Sequence, residues 1–259
     1  MKGYSMLAPV YDRLNGTVDY CAWADFLEAC FAKYGAAKPS AVLDLACGTG
    51  AMTLELARRG YDMIGLDLSD EMLAEADRKA RAEGLGGILF LSGDMTAFEL
   101  YGTVQAVVCC LDGINHLTAR EDLDACFALV KNYLEPGGLF CFDLNTPYKF
   151  RTVYADRDYI LEDDGVMCCW RSRLSKKGDT ADFYLTVFEE KDGVWMREDG
   201  VERERAWGLR AIENALSRAG MELLNVSSDC AFTAPDAAAE RWYLTARVPE
   251  SASKNRRTI

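Results

Sequence analysis

Apolar and polar residues follow two different patterns along the chain. From residue 41 to residue 143, short apolar runs alternate with segments in which apolar residues recur every three to four positions. This pattern predicts strands at 41–45, 62–67, 87–91, 106–110 and 139–143, and helices at 51–59, 70–83 and 121–134. Strands and helices in regular alternation are typical of a parallel sheet with helices on both faces.

The pattern changes on both sides of this region. Residues 3–34 carry two helical stripes of apolar residues, whereas residues 158–206 alternate polar and apolar side chains between turn residues, which predicts three or four antiparallel strands. A helix at 208–219 and strands at 221–229 and 240–247 follow. We therefore expect an α/β fold: a doubly wound, mostly parallel seven-stranded sheet with N-terminal helices and an antiparallel β lid inserted after strand five.

These segments divide the chain into four parts. We expect a ligand-binding core with a helical cap at 1–150, the lid at 151–206, a return to the core at 207–248, and a disordered tail at 249–259. Because the lid would cover the open end of the sheet, it would either recognise a substrate or form half of a dimer contact.

A glycine-rich turn follows the first predicted strand. The run AVLDLACGTGA places Gly48 and Gly50 between a strand and a helix, as at the start of a nucleotide-binding βαβ unit. Dinucleotide sites have a third Gly or Ala three residues later, where this chain has Thr53. Asp44, at the end of the strand, would repel a pyrophosphate but would attract a cation. S-adenosylmethionine carries a sulfonium and an ammonium and no phosphate, so the sequence favours it over NAD.

A second carboxylate ends the next predicted strand. Asp67 comes 19 residues after Gly48, a spacing that suits a carboxylate accepting hydrogen bonds from both hydroxyls of a ribose. Such a residue serves NAD as well as S-adenosylmethionine. The choice between the two cofactors therefore depends on Asp44 and Thr53.

Three motifs in order resemble those of class I S-adenosylmethionine-dependent methyltransferases. They are LDLACGTG, GLDLSDEMLAEA and the turn Ser92-Gly93-Asp94-Met95, and the resemblance covers about residues 4 to 145 and, more loosely, 206 to 247. It implies a Rossmann-like fold of the bacterial small-molecule type, similar to glycine, sarcosine and amino-sugar N-methyltransferases. It also implies that the cofactor contacts Tyr11, Asp44, Ala46, Cys47, Gly48, Gly50, Asp67, Leu68, Met72, Gly93, Asp94, Met95, Leu111 and Asp112.

Two residues are candidates for catalysis. Tyr11-Asp12 resembles the Tyr-Asp signature of this group, which implies that Tyr11 lies near the sulfonium and the acceptor; packing against the sheet is the alternative. His116, the only histidine, follows the fourth predicted strand, at the edge where such sheets bind ligands. Imidazoles in general titrate near pH ~6.5, which suits proton transfer, although a lone histidine is more often structural.

The acceptor side of the site has further candidates after strands four and five and in the lid. For Asn145, an ordinary turn residue before Pro147 is the alternative, and for the lid arginines a solvated face. The predicted substrate-binding residues are Asn115, His116, Asn145, Trp170, Arg171 and Arg203.

Composition and charge narrow the class of partner. The chain has 259 residues and a formal net charge of −12, which disfavours binding to nucleic-acid phosphates. No run of apolar residues is long enough to span a membrane, and from the N-terminal residues we expect no signal peptide. Ten cysteines occur without a Cys-x-x-Cys pair, so we expect buried thiols in a reducing, cytoplasmic compartment and no metal site.

These observations predict methyl transfer to a small-molecule acceptor by in-line displacement. Nitrogen is the preferred acceptor atom from the resemblance alone, and oxygen and carbon remain open. The alternatives are an NAD-dependent oxidoreductase and a non-catalytic cofactor-binding or assembly protein. A homodimer formed through the β lid is a further expectation.

Overall fold

Eleven strands in two sheets make up the β structure of the computed structural model, which describes residues 7–35 and 37–250. In chain order they are β1 (Ala41–Leu45), β2 (Asp62–Asp67), β3 (Leu89–Ser92), β4 (Val104–Cys109), β5 (Leu134–Asn145), β6 (Asp158–Asp163), β7 (Val166–Leu174), β8 (Thr180–Lys191), β9 (Val194–Arg205), β10 (Glu222–Ser227) and β11 (Arg241–Arg247). The larger sheet has the order β10-β11-β5-β4-β1-β2-β3, and β11 runs antiparallel to both of its neighbours. The predicted α/β fold class, with its mostly parallel seven-stranded sheet, is confirmed.

The strand order reverses at β1. This strand pairs in parallel with β2 on one side and with β4 on the other, so chain connections leave in opposite directions from this point. In doubly wound sheets the crevice beyond the carboxyl ends of such strands is where ligands bind. Asp44, opposite both Gly65 and Val108 in the register, stands near this crevice.

The helices are α1 (Tyr11–Leu14), α2 (Tyr20–Tyr34), α3 (Ala51–Arg58), α4 (Asp70–Ala82), α5 (Arg120–Tyr133), the short α6 (Pro147–Lys149) and α7 (Leu209–Ala219). Helices α2 and α3 pack on one face of the larger sheet, and α5 and α7 pack on the other. In β5, Phe140 and Phe142 face the core layer of α5 and α7, whereas Leu139 and Cys141 face the layer of α2 and α3. This strand is apolar along most of its length because both of its faces are buried.

The second sheet is the predicted lid. Its strands β6 to β9 pair in sequence as an antiparallel sheet, which agrees with the prediction of three or four strands in hairpins. Leu7 and Val10 pack against Val166 and Val187 of this sheet, so the N-terminal segment and the lid share an apolar cluster. A salt bridge of 2.9 Å between Arg13 and Asp163 adds a polar contact between them.

The structure departs from the predicted bounds in a few places. Strand β5 begins at Leu134, not at 139, because Leu134 already pairs with Val104 of β4, and a register shift that includes Gly137, with φ of 82°, separates this pair from the pair of Leu139 and Ala106. Strand β4 ends at Cys109, since Leu111 and Asp112 both have a left-handed backbone with φ of 57°. The start of the predicted N-terminal helical region, residues 3–6, and the predicted tail from 251 onward lie outside the described residues.

Candidate active site

A cavity of about 380 Å³ opens at the carboxyl edge of the larger sheet. Its size falls within the ~300–1,000 Å³ that is typical of small-molecule and cofactor sites. The lining comes from the segments that follow β1, β2, β3 and β4, together with α1 and two residues of β9. The predicted site residues that line it are Tyr11, Asp44, Ala46, Cys47, Gly48, Asp67, Leu68, Met72, Gly93, Asp94, Met95, Leu111, His116 and Arg203.

The two glycines after β1 have different roles. Gly48 has φ of 56°, lines the cavity, and has open space where a Cβ would stand, so a ligand can approach its backbone. Gly50 has φ of 75° and begins α3, but it does not line the cavity. A Cβ at this position would lie 2.8 Å from the Cβ of Ala76, so Gly50 allows α3 and α4 to pack closely.

Asp67 is held rigidly at the cavity wall. Its Oδ2 accepts a hydrogen bond of 2.7 Å from the amide of Gly48, and its Oδ1 accepts one of 2.9 Å from the amide of Ser69. Burial raises the pKa of Asp67, and the hydrogen bonds from the amides of Ser69 and Gly48 oppose the rise. Each carboxylate oxygen can still accept a second hydrogen bond, because ionised carboxylates have about four acceptor positions.

Asp44 is 1% exposed at the base of the same cavity. The Thr53 hydroxyl donates a hydrogen bond of 2.5 Å to its Oδ2. Burial raises the pKa of Asp44 from 3.8 to about 7, and the bond from Thr53 opposes that rise. Thr53 occupies the position of the third glycine in dinucleotide sites. Asp44 and Thr53, the two residues that distinguish this sequence from a dinucleotide site, are therefore hydrogen-bonded to each other.

Asp12 fixes the N-terminal segment over the cavity. Its Oδ1 accepts a hydrogen bond of 2.5 Å from the Thr49 hydroxyl, and its Oδ2 pairs with the ammonium of Lys79 in α4. The adjacent Tyr11 forms part of the wall. Burial raises the pKa of Tyr11, and the charge of Asp112 adds to the rise, so its phenol stays protonated at neutral pH and can donate a hydrogen bond.

His116 ends a single 3-10 turn, Gly113–His116, that follows β4. The turn is anchored behind the cavity where the amide of Asp112 donates a hydrogen bond of 3.0 Å to Asp143 Oδ2. His116 lines the cavity together with Tyr11 and Asp67, so the only histidine lies in the same space as the two predicted cofactor-side residues.

The turn after β3 closes the other end of the cavity. Asp94 Oδ1 accepts hydrogen bonds from the amide and the hydroxyl of Thr96, at 2.8 and 2.7 Å. Leu68 is 67% exposed and lines the cavity, as does Met95. The exposed side chain of Leu68 can pack against a flat ring, and the carboxylate of Asp94 can accept a hydrogen bond from an amino group on that ring.

Comparison with known proteins identifies the family. Residues 42–138 match a family described as methyltransferase domain. The chain is 31% identical to the protein YqeM of Bacillus subtilis (strain 168), which carries a provisional methyltransferase name, over 94% of this chain and 96% of that one. A crystal structure of an S-adenosylmethionine-dependent methyltransferase from Clostridium acetobutylicum ATCC 824 has a TM-score of 0.85 at 30% identity and covers 95% of this chain and 99% of that chain.

The chain belongs to the class I S-adenosylmethionine-dependent methyltransferases. The predicted family and cofactor are therefore confirmed. This methyltransferase is also 32% identical to dTDP-3-amino-3,4,6-trideoxy-alpha-D-glucopyranose N,N-dimethyltransferase of Streptomyces venezuelae, over 58% of this chain and 60% of that one. Within residues 7–35 and 37–250, none of the helices is long and apolar enough to span a membrane.

The charges of the cavity fit the cofactor of this family. Asp44 and Asp67 both line it, so a phosphate-bearing ligand would meet two carboxylates, whereas a ligand with cationic groups and ribose hydroxyls would be attracted. The open space beside Gly48 gives its backbone close access to such a ligand.

Four predicted acceptor-side residues lie outside the cavity lining of this methyltransferase. Asn115 is fully buried and donates hydrogen bonds to the carbonyl oxygens of Asn145 and Arg205, while its Oδ1 accepts one from the amide of Asn145. Asn145 in turn donates to the hydroxyl of Tyr154. These amides thus join the end of β5 to the end of β9.

The lid residues are similarly engaged. Trp170 packs against Tyr154 and Phe183, at ring-centroid distances of 5.3 and 5.1 Å, and the Arg171 guanidinium stands 6.0 Å from the ring of Tyr184. Arg203 borders the cavity, but its guanidinium binds Asp182 across the sheet through two hydrogen bonds. Asp112, predicted on the cofactor side, does not line the cavity. It pairs with Arg241, which is far from it in the sequence.

Sequence reasoning missed several lining residues. Tyr20, Thr49 and Glu202 all border the cavity. For Glu202 a signal was present, because in the run Val201 to Arg205 the acidic residues occupy alternate positions of a strand and therefore share one face. Acidic residues at the inward positions of a lid strand indicate a polar interior.

Proposed function

We propose that this methyltransferase transfers the methyl group of S-adenosylmethionine to a small-molecule acceptor, with nitrogen as the preferred acceptor atom. The observation that carries the proposal is the convergence of His116 and Tyr11 on the cavity that Asp44 and Asp67 also line. When bound, the cofactor supplies a methyl group that is already activated on its sulfonium. The contribution of the chain is then to bind, align and exclude water.

The proposed cofactor contacts follow from the positions of the hydrogen-bond acceptors and apolar side chains that line the cavity. Asp67 would accept hydrogen bonds from the ribose hydroxyls, since the amides of Gly48 and Ser69 hold its carboxylate in place. Asp44 would lie near the cationic amino-acid end. Leu68 and Met95 would pack against the adenine, and Asp94, fixed by Thr96, would accept from its amino group.

We assign different roles to the two candidate catalytic residues. Tyr11 keeps its proton, so it would orient the acceptor as a hydrogen-bond donor rather than remove a proton. His116 would take the proton that the acceptor loses. The lid and α1, joined through the Leu7 and Val10 cluster, would keep this space dry.

Three observations support a small amine as the acceptor. The net charge of −12 disfavours a nucleic acid, and the cavity wall carries the acidic Glu202 in addition to Asp44 and Asp67. The S. venezuelae relative is named as a dimethyltransferase of an amino sugar nucleotide. For this chain, transfer to an amine is our proposal.

The compartment and assembly of the enzyme are also proposed here. All ten cysteines lie within the described residues and are free thiols, which supports a reducing, cytoplasmic location.

Residues 151–206 would act as one lid unit. Two copies would pair through the exposed apolar residues of β9, Trp195 and Met196, which size-exclusion chromatography of an alanine double variant can test.

The proposal is tested by methyl transfer to a panel of small acceptors. Amino sugars, diamines and their hydroxyl counterparts are incubated with the enzyme and S-adenosylmethionine, and methylated products are detected by mass spectrometry. We expect products from amines, and we expect His116→Ala to lower turnover by about 10²-fold or more without changing S-adenosylhomocysteine affinity. Tyr11→Phe keeps the ring and removes only the hydroxyl, so it tests the proposed role of that hydroxyl in orienting the acceptor. Unchanged turnover and acceptor affinity in His116→Ala would exclude its role.

A further inference from the structure

Five charged side chains lie together beside the cavity, near the carboxyl edge of the sheet. Asp143 is on β5, Glu204 on β9, Arg241 on β11, and Asp112 and Lys149 lie in the segments that follow β4 and β5. We call these five residues the inner polar cluster. It contains three carboxylates and two cations.

Both cations of the inner polar cluster already have partners. Arg241 donates a hydrogen bond of 3.0 Å to Asp112 Oδ1 and a second one to Asp143 Oδ2. Lys149 donates one of 2.9 Å to Asn145 Oδ1, and its ammonium stands 5.1 Å from the ring centroid of Tyr154. The cations are therefore engaged by groups of the protein.

The carboxylates are not fully satisfied. Glu204 is 3% exposed and Asp143 is 1% exposed, yet Glu204 Oε2 and Asp143 Oδ1 have no hydrogen-bond partner among residues 7–35 and 37–250. Buried polar atoms are almost always paired, so each exception requires an explanation. The missing groups here are hydrogen-bond donors, because both orphaned atoms are carboxylate oxygens.

The inner polar cluster adjoins the cavity. Glu202 lines the cavity, and Glu204, two residues further along β9, lies on the same face of the strand. Leu111 and Gly113, on either side of Asp112, also line it. The side chains of Asp112 and Arg241 are 16% and 18% exposed, so the cluster is not sealed from solvent.

The electrostatics agree with this placement. Burial raises the pKa of Glu204 well above its ordinary value, and the charge of Asp112 adds to the rise. The charge of Asp112 also raises the pKa of Tyr11 in the cavity wall, after the larger effect of burial. Asp112 therefore lies close enough to interact with both spaces, and a cationic group bound beside Glu204 would offset the burial that disfavours its charged form.

We propose that the inner polar cluster binds an ammonium group of the methyl acceptor. This inference rests on the function proposed above. A cationic donor would satisfy the orphaned oxygens of Glu204 and Asp143, whereas an anionic group would add a charge beside three carboxylates. The arrangement is not one for a metal ion, since no set of three His, Cys, Asp or Glu side chains in the described chain could hold one.

The chemistry also restricts the acceptor class. An ammonium has no lone pair, so the nitrogen held by the inner polar cluster is not the atom that receives the methyl group. The acceptor therefore carries at least two polar groups, one bound as an ammonium and one presented to the cavity near His116. Diamines, amino alcohols and amino sugars have this property.

Calorimetric titration tests the proposal. The full chain, saturated with S-adenosylhomocysteine, is titrated with 1,3-diaminopropane, ethanolamine and glucosamine, and with neutral N-acetylglucosamine and anionic glucuronate. We expect at least one ammonium compound to bind and the neutral and anionic sugars to bind more weakly. Glu204→Gln should weaken that binding by tenfold or more. Glu198→Gln, an exposed change on the same strand, should leave it unchanged.

Two control measurements separate the outcomes. S-adenosylhomocysteine affinity should be equal in wild type and Glu204→Gln; if wild type fails to bind that compound, the proposed function itself fails. Without an amine, Glu204→Gln should unfold at an equal or higher temperature, because a neutral amide replaces a buried carboxyl group whose charged form is disfavoured there. The absence of binding by any ammonium compound, tighter binding of glucuronate, unchanged binding in Glu204→Gln, or a marked loss of its stability would overturn the inference.

Discussion

Asp44, at the base of the cavity, is buried, has a raised pKa and accepts a hydrogen bond from the Thr53 hydroxyl. A buried carboxylate of this kind is unfavourable for stability, because its charged form loses hydration. In the proposed function this cost is offset when the cofactor binds, because a cationic group in the cavity would replace the missing solvation. Stability and cofactor binding should therefore respond to Asp44 in opposite directions.

Asp44→Asn tests this at the residue scale. Between pH 3.8 and about 7 the unfolded chain loses the Asp44 proton while the native protein keeps it, so this residue lowers stability as pH rises. We expect the variant to be more stable than wild type at pH 8, by at most about 4 kcal/mol, and the difference to shrink toward pH 5. Urea unfolding across this range measures it. A variant less stable at pH 8 would contradict the account.

Asp67→Ala tests the other carboxylate. Removing its acceptors should weaken S-adenosylhomocysteine binding by about 1 to 3 kcal/mol, measured by calorimetry, since the ribose hydroxyls would lose their partner. Asp62→Ala, an exposed change on the same strand, is the matched control. Equal affinity in Asp67→Ala and wild type would remove Asp67 from the cofactor site.

At the scale of elements, α1 is only four residues long and is held in place by its contacts. Asp12 joins it to the glycine loop through Thr49 and to α4 through Lys79. A short helix has little stability of its own, so these contacts and the apolar cluster with the lid fix its position. The position of α1 in the cavity wall therefore depends on these contacts.

Asp12→Ala should loosen that wall. We expect S-adenosylhomocysteine to dissociate about fivefold faster, equivalent to about 1 kcal/mol for the lost hydrogen bonds, with little change in association. Stopped-flow fluorescence measures both rates. Asp25→Ala removes an exposed carboxylate that pairs with Arg59 away from the cavity and serves as the control. An unchanged dissociation rate in Asp12→Ala would show that α1 does not retain the cofactor.

Asn115 joins two other elements. Its three hydrogen bonds connect the end of β5 with the end of β9, and the residue is fully buried. Asn115→Ala would leave buried backbone groups unpaired and should lower the free energy of unfolding by about 2 to 4 kcal/mol. Urea unfolding of the variant tests this, and a stability equal to wild type would contradict the assigned role.

The sequence predicted those parts of the site that depend on local spacing. Asp44, Gly48 and Asp67 could be placed because each lies at the end of a strand, or just after one, whose apolar pattern is clear. Arg241 could not, since it meets Asp112 from 129 positions away in the chain. Asn115 was predicted on the substrate side because its type and position suit a ligand, but backbone groups of two strands that only the folded chain brings together engage it instead.

At the scale of the whole molecule, the cavity lies between a rigid parallel sheet and a lid that follows its fifth strand. The sheet supplies the cofactor-side residues from the ends of neighbouring strands, and the lid supplies Glu202 and Arg203. This division predicts that cofactor binding depends on the sheet edge and acceptor choice depends on β9. The antiparallel strands of the lid were predicted from their alternating pattern and its position from its place after strand five, whereas its inward-facing residues required the structure.

Thermal unfolding with S-adenosylhomocysteine or NAD tests the central claim most directly. A ligand at one hundred times its dissociation constant should stabilise the native state by about 2.7 kcal/mol. For a chain of this size the midpoint should then rise by about 5 to 10 °C. We predict this rise with S-adenosylhomocysteine, no rise with NAD, and a smaller rise in Asp67→Ala. A rise with NAD alone would contradict the assignment of Asp44 and Asp67 to a methyl-donor site.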